Sequence, residues 1–284
     1  MGTDTPGQDE ATTAAVSDPL PEAFGLARGA ADAGLGLKLL GGLAVRVICP
    51  GFPPRLRRDQ DIDFACLSKG RKNVAAYLER SGCEPDRRFN NLNGDRQMYF
   101  TAPSGRPIDV MVDRLAMCHT LDFRPTFDRL PFTLDVADLL LSKLQIVELN
   151  EKDARDLLQL LAAMPLSGGG EADGQPARSG RHARKADDEM PHSGAQFIDT
   201  DRFAKVLSAD WGWWRTVTAN LKKLPALAAE RPHLHPPEPP YDAAEACQRL
   251  LEVAESAPKT VKWKVRAGVG DRVRWYELPE EVGH

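Results

Sequence analysis

Apolar positions in the N-terminal half of the chain follow helical and strand patterns in turn. Small and apolar side chains recur at helical spacing over residues 21–36, and amphipathic patterns return at 42–48 and 71–81. Short apolar runs between them, bounded by polar or turn residues, favour buried strands. The strands predicted in this way are residues 37–40, 62–67, 96–101 and 106–112. These elements predict an α/β (α+β) fold in which helices cover one side of a small mixed sheet.

A turn signal lies inside this region. The dipeptide Asn93-Gly94 separates residues 87–91 from residues 96–101. Asn-Gly favours the tight turn that joins two antiparallel strands. The two segments are therefore predicted to form a β-hairpin.

The pattern of the C-terminal half is mainly helical. Its predicted helices are residues 135–148, 150–161, 197–229 and 242–256. Trp211, Trp213 and Trp214 lie in the third of these, where core packing is favoured over stacking on a nucleic-acid base. Residues 259–276 alternate Val or Trp with Lys or Arg, which predicts a basic terminal hairpin. A solvated basic face is slightly favoured there over an RNA-binding one.

Composition suggests where the chain divides. Residues 1–20 lack a basic start and an apolar centre, so a disordered tail is predicted rather than a signal peptide. Residues 166–195 are rich in Gly, Ser, Arg and Asp and predict a flexible linker or loop. A sheet-bearing domain over 21–165 and a mainly helical region over 196–284 remain on either side.

Overall charge and cysteine content exclude some classes of protein. The formal net charge of the 284 residues is −4, so any contact with RNA requires a local basic patch. Five cysteines without a CxxC pair suggest reduced thiols in a cytoplasmic protein. No apolar run approaches the length of a membrane span, so no membrane contact is expected.

Acidic residues stand out within the predicted strands. Asp61 and Asp63 are two residues apart, so a strand would project both side chains on one face. Asp109 lies in the middle of the apolar run 106–112 and needs a partner if it is buried. If the two strands are neighbours, the three carboxylates suit two Mg²⁺ ions shared with substrate phosphates. Without metal, repulsion should raise the pKa of at least one of them.

A glycine pair precedes the acids. Gly41 and Gly42 come directly before the predicted helix 42–48. A backbone without side chains can approach a triphosphate closely, and the N–H groups at the start of a helix attract anions.

The order of these motifs resembles a known family. Gly-Gly, then Asp-x-Asp, then a single strand-borne Asp is similar to the DNA polymerase β-like nucleotidyltransferase superfamily. The Leu-rich segment 138–144 with its Lys143, followed by Lys152-Asp153 and Asp156-Leu157, resembles the AbiEii/AbiGii-type toxin nucleotidyltransferases. The resemblance covers about residues 37–161 and identifies 21–165 as a nucleotidyltransferase domain.

The resemblance implies roles for several residues. Asp61, Asp63 and Asp109 would hold two Mg²⁺ ions, and Asp153 would be a catalytic or site-organising acid. The β- and γ-phosphates of the NTP would be held by Gly41, Gly42, Arg57 and Lys143. From the residues alone, Lys143 equally fits a packed stem with its ammonium in water. Asp156 is interpreted as a solvated helix charge.

The expected reaction moves NMP from an NTP to an acceptor hydroxyl. By resemblance, the acceptor is a tRNA 3′ end and the enzyme is a toxin beside an antitoxin. A small-molecule acceptor, as in antibiotic-modifying members of the superfamily, fits the residues equally well, and a protein acceptor also stays open. Two alternatives are not enzymes: a non-catalytic nucleotide-binding protein and a partner-binding module.

Overall fold

The computed structural model describes residues 17–51, 60–167, 196–234 and 239–278. Its strands are β1 (Leu37–Leu39), β2 (Ile62–Cys66), β3 (Glu84–Pro85), β4 (Gln97–Thr101), β5 (Pro107–Val112), β6 (Arg114–Ala116) and β7 (Thr120–Asp122). Its α-helices are α1 (Leu20–Asp32), α2 (Gly41–Ile48), α3 (Arg71–Arg80), α4 (Arg87–Asn93), α5 (Val136–Leu144), α6 (Glu151–Ala163), α7 (Thr200–Ala209), α8 (Trp211–Glu230), α9 (Ala243–Ser256) and α10 (Val261–Val269).

Five of the described strands form one mixed sheet, which confirms the predicted fold class. Their order is β1-β2-β5-β4-β3, with β2 and β5 parallel and the other neighbours antiparallel. A parallel pair needs a crossover between its strands. Here α3, β3, α4 and β4 lie in the chain between β2 and β5. Strands β6 and β7 form a separate two-stranded sheet.

The two faces of the sheet differ in polarity. Ile62, Phe64, Ile108 and Val110 are completely buried and belong to the hydrophobic core. Because strand side chains alternate between faces, the residues between them point the other way. Asp63 is one of these and is only partly buried. This face of the sheet carries the candidate site.

The C-terminal helices pack onto the sheet region through α2. Helix α2 contacts β2 of the sheet and also α5 and α6. Leu141, Phe203, Val217 and Leu250 are fully buried and belong to the same apolar cluster as the sheet residues. Residues 1–16 and 168–195 lie outside the described part of the chain, so the predicted tail and linker stay predictions.

The hairpin predicted at Asn93-Gly94 is wrong. Residues 87–93 form α4, because the Asp86 side chain caps the helix by accepting a hydrogen bond from Phe89 N (2.8 Å). Gly94 has a φ of −64° and ends this helix instead of making a primed turn. The Asn90 side chain pairs with the Tyr99 backbone through two hydrogen bonds, so α4 rather than a strand covers part of β4.

The basic terminal hairpin is also wrong. Residues 261–269 form α10, capped at its start by Thr260, whose hydroxyl accepts from Trp263 N (3.2 Å). The helix ends at Gly270, where a φ of +60° suits glycine. The alternation of apolar and basic residues is therefore carried by a helix.

The long helix predicted over 197–229 is divided in two. Asp210 has extended backbone angles and caps α8 with its side chain. Trp211 and Trp213 are buried, as predicted for core residues. All five cysteines are buried and free of disulfides. No helix in the described ranges has the length and apolar character needed to cross a membrane.

Candidate active site

Two of the predicted acids lie side by side on the polar face of the sheet. Asp63 on β2 and Asp109 on β5 are direct partners in the parallel register. Partners in neighbouring strands project to the same face, so the two carboxylates are on the same side of the sheet. Asp61 comes immediately before β2, two residues from Asp63, and its side chain is exposed.

Gly41 lies against the Asp63 side chain. The Leu40 N–H donates to the Asp63 carbonyl oxygen (2.9 Å), which ties the start of α2 to β2. Gly41 has a φ of +67°, and a Cβ placed on it would lie 2.3 Å from Asp63 Oδ2. Only glycine combines that backbone angle with the space for the carboxylate.

Replacing Gly41 by Ala should destabilise the protein. A left-handed backbone angle costs a non-glycine residue about 1–3 kcal/mol, and the new methyl group would displace the Asp63 carboxylate. The free energy of unfolding in denaturant should fall by that amount. The matched control is Gly25→Ala in α1, where a Cβ meets nothing within 4 Å. It should raise stability by about 0.5–1 kcal/mol. Equal effects of the two substitutions would contradict the assigned packing of Gly41.

Lys143 forms a buried ion-pair cluster with two carboxylates of α6. Its Nζ lies 2.8 Å from Asp153 Oδ1 and 3.0 Å from Asp156 Oδ2, and its side chain is 10% exposed. Burial lowers the pKa of Lys143, but the two carboxylates outweigh it and the net shift is upward. The interpretation in which the ammonium reaches water is therefore wrong. Asp156 is wrongly interpreted as a solvated charge, since its side chain is 14% exposed and pairs with Lys143.

Helix α2, which begins at Gly41, starts next to both sets of charged side chains: Asp63 of the sheet and the cluster around Lys143. A Cβ on Gly42 would lie 3.4 Å from Asp156 Oδ2, as one on Gly41 would meet Asp63. Asp153 is held by Asn150, which donates to Asp153 Oδ2 (2.8 Å) and accepts from Asp153 N (2.9 Å). Because neither glycine has a Cβ, the carboxylates of Asp63 and Asp156 can lie close to the first turn of α2.

The charge environment of Asp63 is unusual. Burial raises its pKa to about 6, Lys143 and Lys152 oppose the rise, and Asp109 and Asp61 add to it. A raised pKa is the behaviour predicted for neighbouring carboxylates, although burial is its largest cause. Asp63 therefore keeps its proton to a higher pH than an ordinary aspartate does.

Stability should depend on pH through Asp63 when metal is removed. Its pKa rises from 3.8 to about 6 on folding, so the folded state binds the proton more tightly than the unfolded state. The unfolding free energy should therefore decrease as pH rises from about 4 to 6, by up to about 3 kcal/mol. The measurement is the difference between wild type and Asp63→Asn, both in chelator, at several pH values. A difference that does not vary with pH would contradict the raised pKa.

Gln97 and Tyr99 on β4 also belong to the site, although neither was predicted from the sequence. Gln97 Nε2 donates to Asp109 Oδ1, and Tyr99 is the register partner of Asp109. Burial, Asp109 and Asp61 raise the pKa of Tyr99. The signal was available in the sequence, where Gln97, Tyr99 and Thr101 alternate with the apolar Met98 and Phe100, so that a strand places Gln97 and Tyr99 on one face. Arg57, predicted to bind phosphate, lies outside the described residues.

The described residues contain no set of three His, Cys, Asp or Glu side chains already arranged to hold a metal ion. Asp63 and Asp109 share a face of the sheet, and the exposed Asp61 is the nearest further acid along the chain.

No protein-family model matches the chain, and a search of curated proteins finds no significant match.

Proposed function

We propose that the protein is a Mg²⁺-dependent nucleotidyltransferase that moves NMP from an NTP to an acceptor hydroxyl. The observation that supports this most strongly is the in-register pair Asp63 and Asp109, with the start of α2 at Gly41 directly against Asp63. This arrangement combines carboxylate oxygens for a metal–phosphate complex with backbone N–H groups for the phosphates.

The residues fit Mg²⁺ by their donor chemistry. All three candidate ligands are carboxylates, and hard oxygen ligands suit this ion. The room that Gly41 leaves for Asp63 Oδ2 keeps that oxygen at the start of α2. Since three ligands are not yet grouped among the described residues, we propose that the exposed Asp61 turns toward Asp63 and Asp109 when metal binds. The ions would neutralise phosphate charge and lower the pKa of the acceptor hydroxyl.

The protein's own groups would act around the α-phosphorus. Asp61, Asp63 and Asp109 would hold the ions, and Asp109 would accept the proton of the attacking hydroxyl. A bond forms between the acceptor oxygen and the α-phosphorus, and the bond from that phosphorus to the bridging oxygen breaks. Pyrophosphate leaves with the electron pair of the broken bond. The N–H groups at Gly41 and Gly42 would hold its phosphates.

Lys143 would act on the phosphates only by exchanging partners. In the described state its single positive charge is shared by Asp153 and Asp156. We propose that an incoming phosphate oxygen replaces one of these carboxylates, while the other keeps the ammonium in place. Asp153, fixed by Asn150, is the better candidate for the partner that stays.

The acceptor is proposed from the resemblance described above. It would be an RNA 3′ end, with the protein acting as a cytoplasmic toxin that an antitoxin neutralises. The test is to incubate the protein with each labelled NTP, Mg²⁺ and total cellular RNA. Label should enter RNA, pyrophosphate should appear in equal amount, and chelator should stop both. Absence of both products with every NTP, for RNA and for a panel of small-molecule and protein acceptors, would contradict the proposal.

A further inference from the structure

A cavity lies in the C-terminal region, outside the sheet site. Its volume is about 390 Å³, and it opens among residues of α8, α10, the segment before β7 and the segment 274–277. No residue of the sheet site lines it. Four aromatic side chains contribute to its walls: Trp211, Trp263, Trp275 and Tyr276.

Positive charge accompanies these rings. The guanidinium of Arg266 lies 4.7 Å from the centre of the Trp211 ring, and that of Arg274 lies 4.7 Å from the centre of Tyr276. Lys262 also lines the cavity. Guanidinium groups stack on aromatic faces, and aromatic rings together with arginines also form the surfaces on which nucleic-acid bases stack.

The two carboxylates of the cavity do not cancel this charge. Asp210 and Glu277 face the cations Lys262, Arg266 and Arg274, so three positive and two negative charges leave the lining with a net charge of +1. Lys262 Nζ lies 4.0 Å from Asp210 Oδ2, and both side chains are largely exposed to solvent. Asp210 is engaged in capping α8, accepting from Gly212 N (2.7 Å) and Trp213 N (3.3 Å). The net positive charge of the lining favours an anionic ligand and disfavours a cationic one such as a quaternary ammonium.

The floor of the cavity is held in place by hydrogen bonds. Thr216 Oγ1 accepts from Trp275 Nε1 (3.1 Å) and lies 2.9 Å from His119 Nε2. Burial lowers the pKa of His119 to about 4, so the ring is neutral at pH 7. A Cβ on Gly212 would lie 2.8 Å from the Trp275 carbonyl oxygen, so the segment packs directly on the start of α8. Aromatic walls fixed before binding reduce the entropy lost by a ligand site.

We propose that this cavity binds a nucleotide, with the base stacked among the tryptophans and the phosphate held by Arg274 and Lys262. The volume falls in the range of about 300–1,000 Å³ that is typical of small-molecule sites. A nucleotide suits this lining, because its base can stack on the aromatic rings and its phosphate can make charge-assisted contacts with the cations. The ligand is a free nucleotide or one nucleotide of a single-stranded nucleic acid. Neither case requires the sheet site to be catalytic.

Tryptophan fluorescence reports on this cavity selectively. All five tryptophans of the chain, at positions 211, 213, 214, 263 and 275, lie in the C-terminal region and none lies in the sheet site. Stacking of a base on these rings should quench their emission. Titrations in chelator, corrected for nucleotide absorbance, exclude any metal-dependent binding at the sheet site.

The experiment compares AMP, UMP and a short single-stranded oligonucleotide. Saturable quenching by a mononucleotide supports the proposal with a free nucleotide as ligand, whereas quenching by the oligonucleotide alone supports it with a nucleic-acid strand. The variant Lys262→Ala/Arg274→Ala removes two exposed cations and should weaken binding by at least about tenfold. The matched control, Arg80→Ala/Lys222→Ala, removes two exposed cations elsewhere and should leave binding unchanged.

Two results would overturn the proposal. One is the absence of saturable quenching with all three ligands. The other is equal affinity of the wild type and Lys262→Ala/Arg274→Ala. Because both side chains are exposed, the variant should fold, which an unchanged far-UV circular dichroism spectrum verifies. Loss of nucleotidyl transfer in a separate assay has no bearing on either result, so the two proposals fail independently.

Discussion

Substitution of Asp63 by Asn should reduce nucleotidyl transfer by roughly 10²–10⁴-fold. Asp63 is the central carboxylate of the site, with Asp109 as its register partner and Gly41 against its Oδ2. Metal coordination stabilises a transition state by several kcal/mol, and each 1.36 kcal/mol is a factor of ten in rate. The amide keeps the shape of the side chain but removes the charge that holds the ion. The measurement is the initial rate of pyrophosphate release under saturating NTP and Mg²⁺.

The control for this substitution is Asp32→Asn. Asp32 is exposed at the end of α1, so the same chemical change there should leave the rate within about twofold of wild type. The folded state of Asp63→Asn should be intact, because burial disfavours the ionised form of Asp63 and the amide carries no charge. A stable Asp63→Asn protein with the wild-type rate would remove Asp63 from the mechanism.

Substitution of Lys143 by Met should lower the free energy of unfolding by about 3–5 kcal/mol. Removing one partner of a buried ion pair leaves uncompensated charge, and here two carboxylates would lose the same cation. The Lys143 side chain is 10% exposed, so water replaces little of the lost interaction. Chemical denaturation at neutral pH measures the change.

The control separates charge from packing. In the triple variant Lys143→Met/Asp153→Asn/Asp156→Asn no charge of the cluster remains, so it should be more stable than Lys143→Met alone. Lys222→Met removes an exposed cation of α8 and should change stability by less than about 0.5 kcal/mol. A triple variant less stable than Lys143→Met would show that packing, not the carboxylates, explains the role of Lys143.

The sheet and its acids were predictable because their signals are local. The apolar runs around Asp63 and Asp109 each fit a short strand, and a period of two fixes which side chains share a face. The pairing of the two strands was a condition of the predicted site, and the parallel register of β2 and β5 meets it. The helix at Gly41 followed from the apolar spacing of 42–48.

The remaining features depend on tertiary contacts that sequence patterns do not contain. Lys143 meets Asp153 and Asp156 across two helices, and nothing in the Leu-rich segment distinguishes this from exposure at a helix surface. Both predicted hairpins failed for a related reason. Asp86 and Thr260 are N-caps whose side-chain hydrogen bonds start helices, and that local chemistry outweighed the turn and alternation signals.

The measurement that tests the central claim most directly is thermal unfolding with Mg²⁺ and a non-hydrolysable NTP, because it needs no knowledge of the acceptor. A ligand that binds only the folded state raises stability by about 2.7 kcal/mol at one hundred times its dissociation constant. The account predicts a rise in Tm with Mg²⁺ and nucleotide together that exceeds the rise with nucleotide in chelator, and this Mg²⁺-dependent difference should be absent in Asp63→Asn and Asp109→Asn. A Mg²⁺-dependent difference of the same size in wild type and both variants, or none in wild type, would contradict a metal–nucleotide site between these carboxylates.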